Sequence, residues 1–271
     1  MRTTFRGGFT LVELLVVIAI IGVLVGAMVP AVQASREVAR RAVCTSHMAQ
    51  LMLAVQSYED TFESLPAGVV NPDGPIRSEP SGLHQGWLVQ LLPYLDEGPM
   101  YRAIDFSKSV YDSANAHVRV ISPDVFLCPS SPNSQGAISD YAGCHHDVEA
   151  PIAADNHGVL FLNSHVRREE ITDGASHTLF VGEKVPDIAD LGWMSGTRAT
   201  LRNTGAPLNA ASPDNVDAMY VGGFGSPHPD GANIGFGDGS VKFVTDRVDI
   251  EVWHRLGHRS DGKLLDVHFP D

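Results

Sequence analysis

The sequence predicts an α+β fold in which one long amino-terminal helix packs on an antiparallel sheet with short accessory helices and many loops. Between Phe9 and Val29 the only polar side chains are Thr10 and Glu13, and about 20 apolar residues are enough for a helix that spans a membrane. The chain contains 26 Gly and 17 Pro, most of them beyond this helix. Such a content of turn residues is typical of an α+β domain with many loops.

Two features separate this helix from an ordinary secretory signal or anchor. Gly7 and Gly8 precede the apolar core, next to Arg2 and Arg6, whereas a secretory signal has its small-residue cleavage site after the core. A cut at these glycines would keep the helix on the mature protein. Glu13 lies inside the apolar run, where a charge costs roughly 2.5–3.5 kcal/mol on insertion scales, and it is therefore a functional candidate.

The run Gly8-Phe9-Thr10-Leu11-Val12-Glu13-Leu14 resembles the prepilin-type cleavage and methylation motif of type IV pilins and pseudopilins. The resemblance implies that a prepilin peptidase cuts between Gly8 and Phe9 and methylates the new amino terminus on Phe9. It further implies that Glu13 pairs with the terminal amine of a neighbouring subunit during assembly. Positions 9 and 13 are also i and i+4 on a helix, so a pair within one chain is the rival explanation. A single-pass anchor with a chance glutamate is the alternative.

The helical pattern continues past the apolar run. No Gly or Pro occurs between Ala31 and Leu65, and apolar residues recur at steps of three and four, the spacing of one helix face. These residues are Cys44, Met48, Leu51, Val55, Tyr58 and Phe62. We predict a leader at 1–8, a helix at 9–58 that spans the membrane over about 9–31 and kinks at Pro30, and an exported globular domain at 59–271.

Charge is divided unevenly along the chain. Residues 1–41 have a net charge of +3 and the remainder has −16, so the domain is not expected to bind nucleic acid. Arg2 and Arg6 precede the span, while Arg36, Arg40 and Arg41 follow it. That count alone would place the domain in the cytoplasm. The prepilin resemblance implies the opposite, because the peptidase acts on a cytoplasmic leader.

Shorter elements follow in the domain. We predict helices at Trp87–Leu95, broken near Pro93, at Asn115–Ile121 and at Ile250–Leu256. Strands are predicted at Gly158–Leu162, His177–Val181, Ala232–Phe236 and Ser240–Val244, with an edge strand at Lys263–Val267. Gly237-Asp238-Gly239 is predicted as a hairpin turn, since Gly readily supplies the positive φ that such turns need.

Several further segments resemble the DUF1559 family of pilin-like bacterial proteins. They are Leu92-Pro93-Tyr94-Leu95, Phe126-Leu127-Cys128-Pro129-Ser130, Asp140-Tyr141-Ala142-Gly143, Ile171-Thr172-Asp173-Gly174 and the H-x9-DG motif formed by His228, Asp238 and Gly239. Cys144-His145-His146 departs from the family pattern in what we interpret as a loop. From the residues alone, we expect His228 to lock the turn by bonding Asp238 or a backbone carbonyl.

Neither a metal, a cofactor nor a catalytic centre is predicted. Twelve His are present, clustered best at Cys144-His145-His146-Asp147 and at His254 with His258. Adjacent ligands rarely converge on one ion, and Gly257 weakens the helical spacing of the second pair, so surface histidines are the better interpretation. Without a G-x-S-x-G or phosphate-loop motif, a metal-dependent hydrolase is a minority hypothesis.

Three Cys leave several single pairings open. Cys44 lies on the core-facing helix stripe and Cys128 in an apolar segment, so we predict that these two pair after export into an oxidising compartment. Cys144 is then expected to stay free.

These observations together predict a structural subunit. It would sit in the cytoplasmic membrane as a single-pass protein with an extracytoplasmic domain, and would assemble with other pilin-like subunits into a type IV pilus-like or type II secretion-like filament, periplasmic or extracellular. The prepilin peptidase would be its processing partner. The alternative is a membrane-anchored binding protein that never polymerises.

Overall fold

The long amino-terminal helix α1 runs over Leu11–Phe62 in the computed structural model, which describes residues 10–132 and 137–263. Pro30 lies inside α1 without ending it. The helix stops at Glu63, whose positive φ of 56° is a left-handed conformation that commonly terminates helices. It is therefore four residues longer than the predicted limit at Tyr58.

The chain divides into two units, residues 1–40 and residues 41–271. In the first unit, apolar side chains of α1 are exposed on every side of the helix, from Leu11 at 79% to Val32 at 44%. Among the described residues, α1 is the one helix long and apolar enough to cross a membrane. A helix that is apolar all round needs lipid or other helices around it.

In the second unit, the rest of α1 packs against the domain. Its buried residues are Cys44, Met48, Leu51, Met52, Ala54 and Val55. Tyr58 is half-buried, whereas Phe62 is 56% exposed and contacts the Tyr58 ring. The predicted apolar stripe therefore ends one turn earlier than its spacing suggested.

Short elements follow α1. Strands β1 (Val69–Val70) and β2 (Gln85–Gly86) form an antiparallel pair. Helices α2 (Trp87–Leu91), α3 (Gly98–Arg102) and α4 (Ala116–Arg119) come next, and a 3₁₀ turn at Leu92–Tyr94 follows α2 where Pro93 breaks it. After the sheet strands, α5 (Ile250–Leu256) lies where it was predicted.

Five strands form the main sheet described. They are β3 (Tyr141–His146), β4 (Leu179–Glu183), β5 (Leu201–Asn203), β6 (Gly231–Phe236) and β7 (Val241–Thr245), in the order β5-β3-β4-β6-β7. All neighbours are antiparallel except β3 and β5, which are parallel. The sheet is therefore mixed: the predicted antiparallel pairing is present at every neighbouring pair except this one.

Helix α1 lies close to β6 and β7. A methyl group added at Gly235 would meet the sulfur of Met52 at 2.6 Å, so glycine permits the close approach of the helix to β6. Thr45 Oγ1 donates a 3.1 Å hydrogen bond to Asn233 Oδ1 on β6, and the Arg41 guanidinium lies 3.3 Å from the Phe243 ring centre on β7.

Two predictions about strands were wrong. Gly158–Leu162 forms no regular strand: its apolar side chains are buried in the core, and only Leu162 makes a single bridge, to Val69. The segment interpreted as a loop, Cys144–His146, is instead the second half of the buried strand β3. Pairing with β4 and β5 on both sides compensates for the weak strand propensity of its residues. Most of the predicted strand 263–267 lies outside the described residues.

Candidate functional site

The first turn of α1 is held by a reciprocal pair of hydrogen bonds. Thr10 Oγ1 accepts from the Glu13 backbone N–H at 3.2 Å, and Glu13 Oε2 accepts from the Thr10 backbone N–H at 2.8 Å. The Thr10 hydroxyl also donates to Glu13 Oε2 at 2.8 Å. This T-x-x-E arrangement is a capping box, which the sequence analysis missed although its spacing is visible.

The capping box places the one carboxylate of the apolar segment at the amino-terminal end of the helix. Negative charge is favourable there, because the unpaired N–H groups give that end a partial positive charge. The side chains around Glu13 are apolar and exposed, as Val12 at 69% and Leu14 at 55% show. The cleavage residues Gly8 and Phe9 lie outside the described residues, so Glu13 is the one predicted assembly residue that the structure places.

The residues of the H-x9-DG motif do not meet. Asp238 Oδ1 accepts hydrogen bonds from the backbone N–H and the hydroxyl of Ser240, at 2.9 and 2.7 Å. Gly239 has the positive φ expected in the hairpin, 88°. His228 is buried, with Nε2 3.5 Å from Cys128 and from Glu183. The expected bond between His228 and Asp238 was therefore wrong: each side chain stabilises a different part of the domain.

We expect Asp238→Ala to lower the free energy of unfolding by about 1 kcal/mol, because it removes two hydrogen bonds at an exposed turn. Thermal melts of the purified protein in detergent would measure the change. Ser240→Ala, which removes only the hydroxyl bond, should cost less. A loss of several kcal/mol would show that Asp238 has a role beyond the turn.

His228 belongs to a buried cluster with Cys44, Cys128 and Glu183. The donor atoms of these four side chains all lie within 4.8 Å of one another. The sulfurs of Cys44 and Cys128, the pair named from the sequence, are bonded as a disulfide, with the two Cα atoms 5.4 Å apart. Cys144 is a free, buried thiol, and burial raises its pKa well above the usual range.

Glu183 was missed by the sequence analysis. It ends β4 and is fully buried, although a carboxylate is rarely buried without partners. Asn233 donates to it from both its backbone and its side chain, at 2.9 and 2.8 Å, and the Ser226 hydroxyl donates at 2.7 Å. The charged Glu183-Lys184 pair at the end of an apolar run was the one sequence feature that marked this position.

A second group of polar side chains extends from the buried His146 to the exposed His157. Asp147 Oδ1 lies 2.6 Å from His146 Nδ1 and 2.9 Å from His157 Nδ1, and the His258 ring is 4.5 Å from that of His157. Asp147 of one histidine cluster of the sequence and His258 of the other thus both lie near His157. His145 points elsewhere, to Asn156, and burial lowers its pKa to about 3.

The hydrogen bonds of Asp147 predict that the stability of the domain depends on pH. Burial alone would raise the pKa of Asp147, but hydrogen bonds with His146 and His157 lower it below its usual range. A lowered folded-state pKa gives stabilisation that is complete above the unfolded pKa, about 3.9, and that is lost as the pH falls. Asp147→Asn should therefore cost about 1 kcal/mol at pH 7 and progressively less below about pH 4.

Thermal melts at several pH values would measure this difference. Asp155→Asn is a matched control, because Asp155 is exposed. A cost for Asp147→Asn that stays constant between pH 7 and pH 3 would contradict the assignment.

A cleft of about 830 Å³ opens in the domain. Its lining includes Ser78, Asp187, Arg198, Arg202, Tyr220 and residues 209–218. Next to the lining residue Arg198, Lys184 and Asp190 form a buried ion pair at 2.5 Å. Burial lowers the pKa of Arg202, which donates to the carbonyls of Arg198 and Val221. The cleft lining thus combines acidic loops with guanidinium groups that already have protein partners.

Family comparisons agree with both parts of this description. The model described as Protein of unknown function (DUF1559), with the short name SBP_bac_10, matches residues 33–251. The Prokaryotic N-terminal methylation motif matches residues 5–29. Neither a curated protein nor a solved structure matches the chain. The first match covers most of the chain, and so the protein belongs to the DUF1559 family and is a pilin-like member with a prepilin-type amino terminus.

Proposed function

We propose that this protein is a structural subunit of a pilus-like or pseudopilus-like filament. The observation that carries the proposal is the division of α1: one end is apolar on all sides with a capped carboxylate at its start, and the other is buried in a disulfide-linked α+β domain. A helix of this kind can be stored in a membrane and later packed against the helices of other subunits, because both environments are apolar.

In this proposal, the prepilin peptidase cuts after Gly8 and methylates Phe9. Before assembly, the mature protein is held in the cytoplasmic membrane with its domain outside the cytoplasm. Other pilin-like subunits are its assembly partners. The methylation motif at residues 5–29 supports the processing step. The role is architectural, and no catalytic residue is assigned.

The test of processing is the mass of the mature amino terminus in the native host. We expect a protein that begins at Phe9 with a methylated amine. Because the small residue at the junction carries the recognition, Gly8→Leu should leave the leader attached, while Gly7→Leu serves as the neighbouring control. A native protein that begins at Met1, or that is cut after Ala34, would contradict the proposal.

A membrane-anchored binding protein is the second candidate, and the cleft beside Arg198 and Arg202 favours it. The lining is polar: Arg198 lies beside Asp187 and Asp190, and Arg202 donates to backbone carbonyls. Filament shearing separates the two functions. A subunit appears in the sheared extracellular or periplasmic fibres, whereas a binding protein stays with the membrane after processing.

A further inference from the structure

The buried cluster of Cys44, Cys128, Glu183 and His228 has the composition of a metal site. Two sulfurs, one imidazole nitrogen and one carboxylate oxygen lie within 4.8 Å of one another, and all four residues are buried. Thiolate, imidazole and carboxylate are the ligands of tetrahedral zinc. The four come from distant parts of the chain: α1, the segment before β3, the end of β4 and the loop before β6.

The distance between His228 and Glu183 fits ligands of one ion better than a hydrogen-bonded pair. Its Nε2 lies 3.5 Å from Cys128 Sγ and 3.5 Å from Glu183 Oε1. An N–O distance of 3.5 Å is long for a hydrogen bond, whose usual range ends near 3.2 Å. Around a tetrahedral zinc ion with bonds of about 2.0–2.3 Å, neighbouring ligand atoms are roughly 3.3–3.8 Å apart. One nitrogen therefore already lies at ligand spacing from two other donors.

The groups behind the donors hold them in position. Glu183 is fixed by Asn233 and by the Ser226 hydroxyl, and Ser226 also accepts from the His228 backbone N–H at 3.1 Å. The Cys128 backbone N–H donates to Asp140 at 2.7 Å. Hydrogen bonds of this kind, which orient ligands from behind, are a regular part of metal sites.

The disulfide sets the condition for binding. A thiolate binds zinc, whereas a disulfide sulfur does not serve as such a ligand. We propose that, when the Cys44–Cys128 bond is reduced, the four side chains bind one zinc-class divalent cation, and that the disulfide and the metal exclude each other. The metal site thus exists only in the thiol form. Oxidation replaces the metal, which would link α1 to the domain, by the disulfide, which links the same two parts.

A phosphine with one water reduces the disulfide: the S–S bond breaks, two thiols form and the phosphine becomes its oxide. Zinc then binds both sulfurs as thiolates, and two protons leave to solvent. In the reverse direction, a disulfide oxidant takes two electrons from the thiolates, the S–S bond forms again and the ion is released.

Zinc content of the full-length protein in detergent micelles tests the proposal. One sample keeps its disulfide, and the other is treated with phosphine until all three Cys titrate as thiols. Both receive zinc and are dialysed. We expect about one zinc per chain in the reduced sample and less than a tenth of that in the disulfide sample.

Variants locate the ion. His228→Asn and Glu183→Gln should each weaken zinc binding by the reduced protein at least about tenfold. Asp147→Asn, which alters the exposed histidine group, should leave it unchanged. If the buried variants do not fold, X-ray absorption of the zinc-loaded reduced wild type gives the ligands directly, and we expect two sulfurs and two lighter atoms.

The proposal is overturned if the reduced wild type retains no zinc, or if the disulfide form retains as much. It is also overturned if Asp147→Asn removes the ion, or if the absorption spectrum shows no sulfur ligand. None of these results depends on whether the protein forms filaments.

Discussion

Glu13→Val is expected to leave cleavage after Gly8 intact and to remove the protein from filaments. The reason lies in the cost of a carboxylate in an apolar helix, roughly 2.5–3.5 kcal/mol on insertion scales. An anchor gains nothing from that cost. In a filament, the carboxylate can pair with the amine of Phe9 on a neighbouring subunit, and this pairing favours helices in the correct register.

The capping box supplies a rival explanation for Glu13. In the single chain, its carboxylate already accepts hydrogen bonds from the backbone and the hydroxyl of Thr10. If capping is its whole role, Glu13 stabilises the first turn of α1 by about 1 kcal/mol and has nothing to do with assembly. A variant that removes the capping role and keeps the carboxylate therefore distinguishes the two explanations.

Thr10→Val is that matched control. It deletes the hydroxyl that caps the helix and keeps the carboxylate. We expect Thr10→Val subunits to be processed and to enter sheared filaments at near wild-type amounts, while Glu13→Val subunits are processed and absent from them. Equal losses in both variants would reduce Glu13 to a capping residue. Normal assembly of Glu13→Val would favour the membrane-anchored binding protein.

The parts of the fold that the sequence predicted are those set by local rules. Helix α1 follows from an unbroken apolar period, and the β6–β7 hairpin follows from a turn with Gly239 at positive φ. Helix α5 is capped by Asp249, whose carboxylate accepts from the N–H groups of Glu251 and Val252. In each case, neighbouring residues are enough to decide the structure.

The parts that were missed depend on distant residues. Strand β3 contains glycine, cysteine and histidine, which favour no strand by themselves, and it exists because β4 and β5 pair with it. Likewise, His228 was assigned to the turn ten residues away, but it packs against Glu183 and Cys128 from other parts of the chain. No local pattern reports which of several distant partners a buried polar side chain will meet.

We expect removal of the disulfide to cause a large loss of stability. Replacing both Cys44 and Cys128 by Ala should lower the free energy of unfolding by about 4.5 kcal/mol, since the bond closes a loop with a sequence separation of 84. For a domain of this size, that loss corresponds to a melting temperature lower by roughly 10–18 °C. Melts with a chelator present ensure that no bound metal contributes.

Cys144→Ala is the matched control, because Cys144 is also buried but forms no disulfide. It should cost only the small packing term of one sulfur, about 1 kcal/mol.

Peptide mapping under non-reducing conditions checks the connectivity, and a fragment joining Cys144 to either partner would reject it. In the proposed filament, the bond would tie α1, which carries Glu13, to the segment before β3. Without it, α1 is held to the sheet by packing and by contacts such as the Thr45–Asn233 hydrogen bond. We therefore expect the double variant to be processed normally and to yield filaments that lose their subunit domains to protease at temperatures where wild-type filaments stay intact.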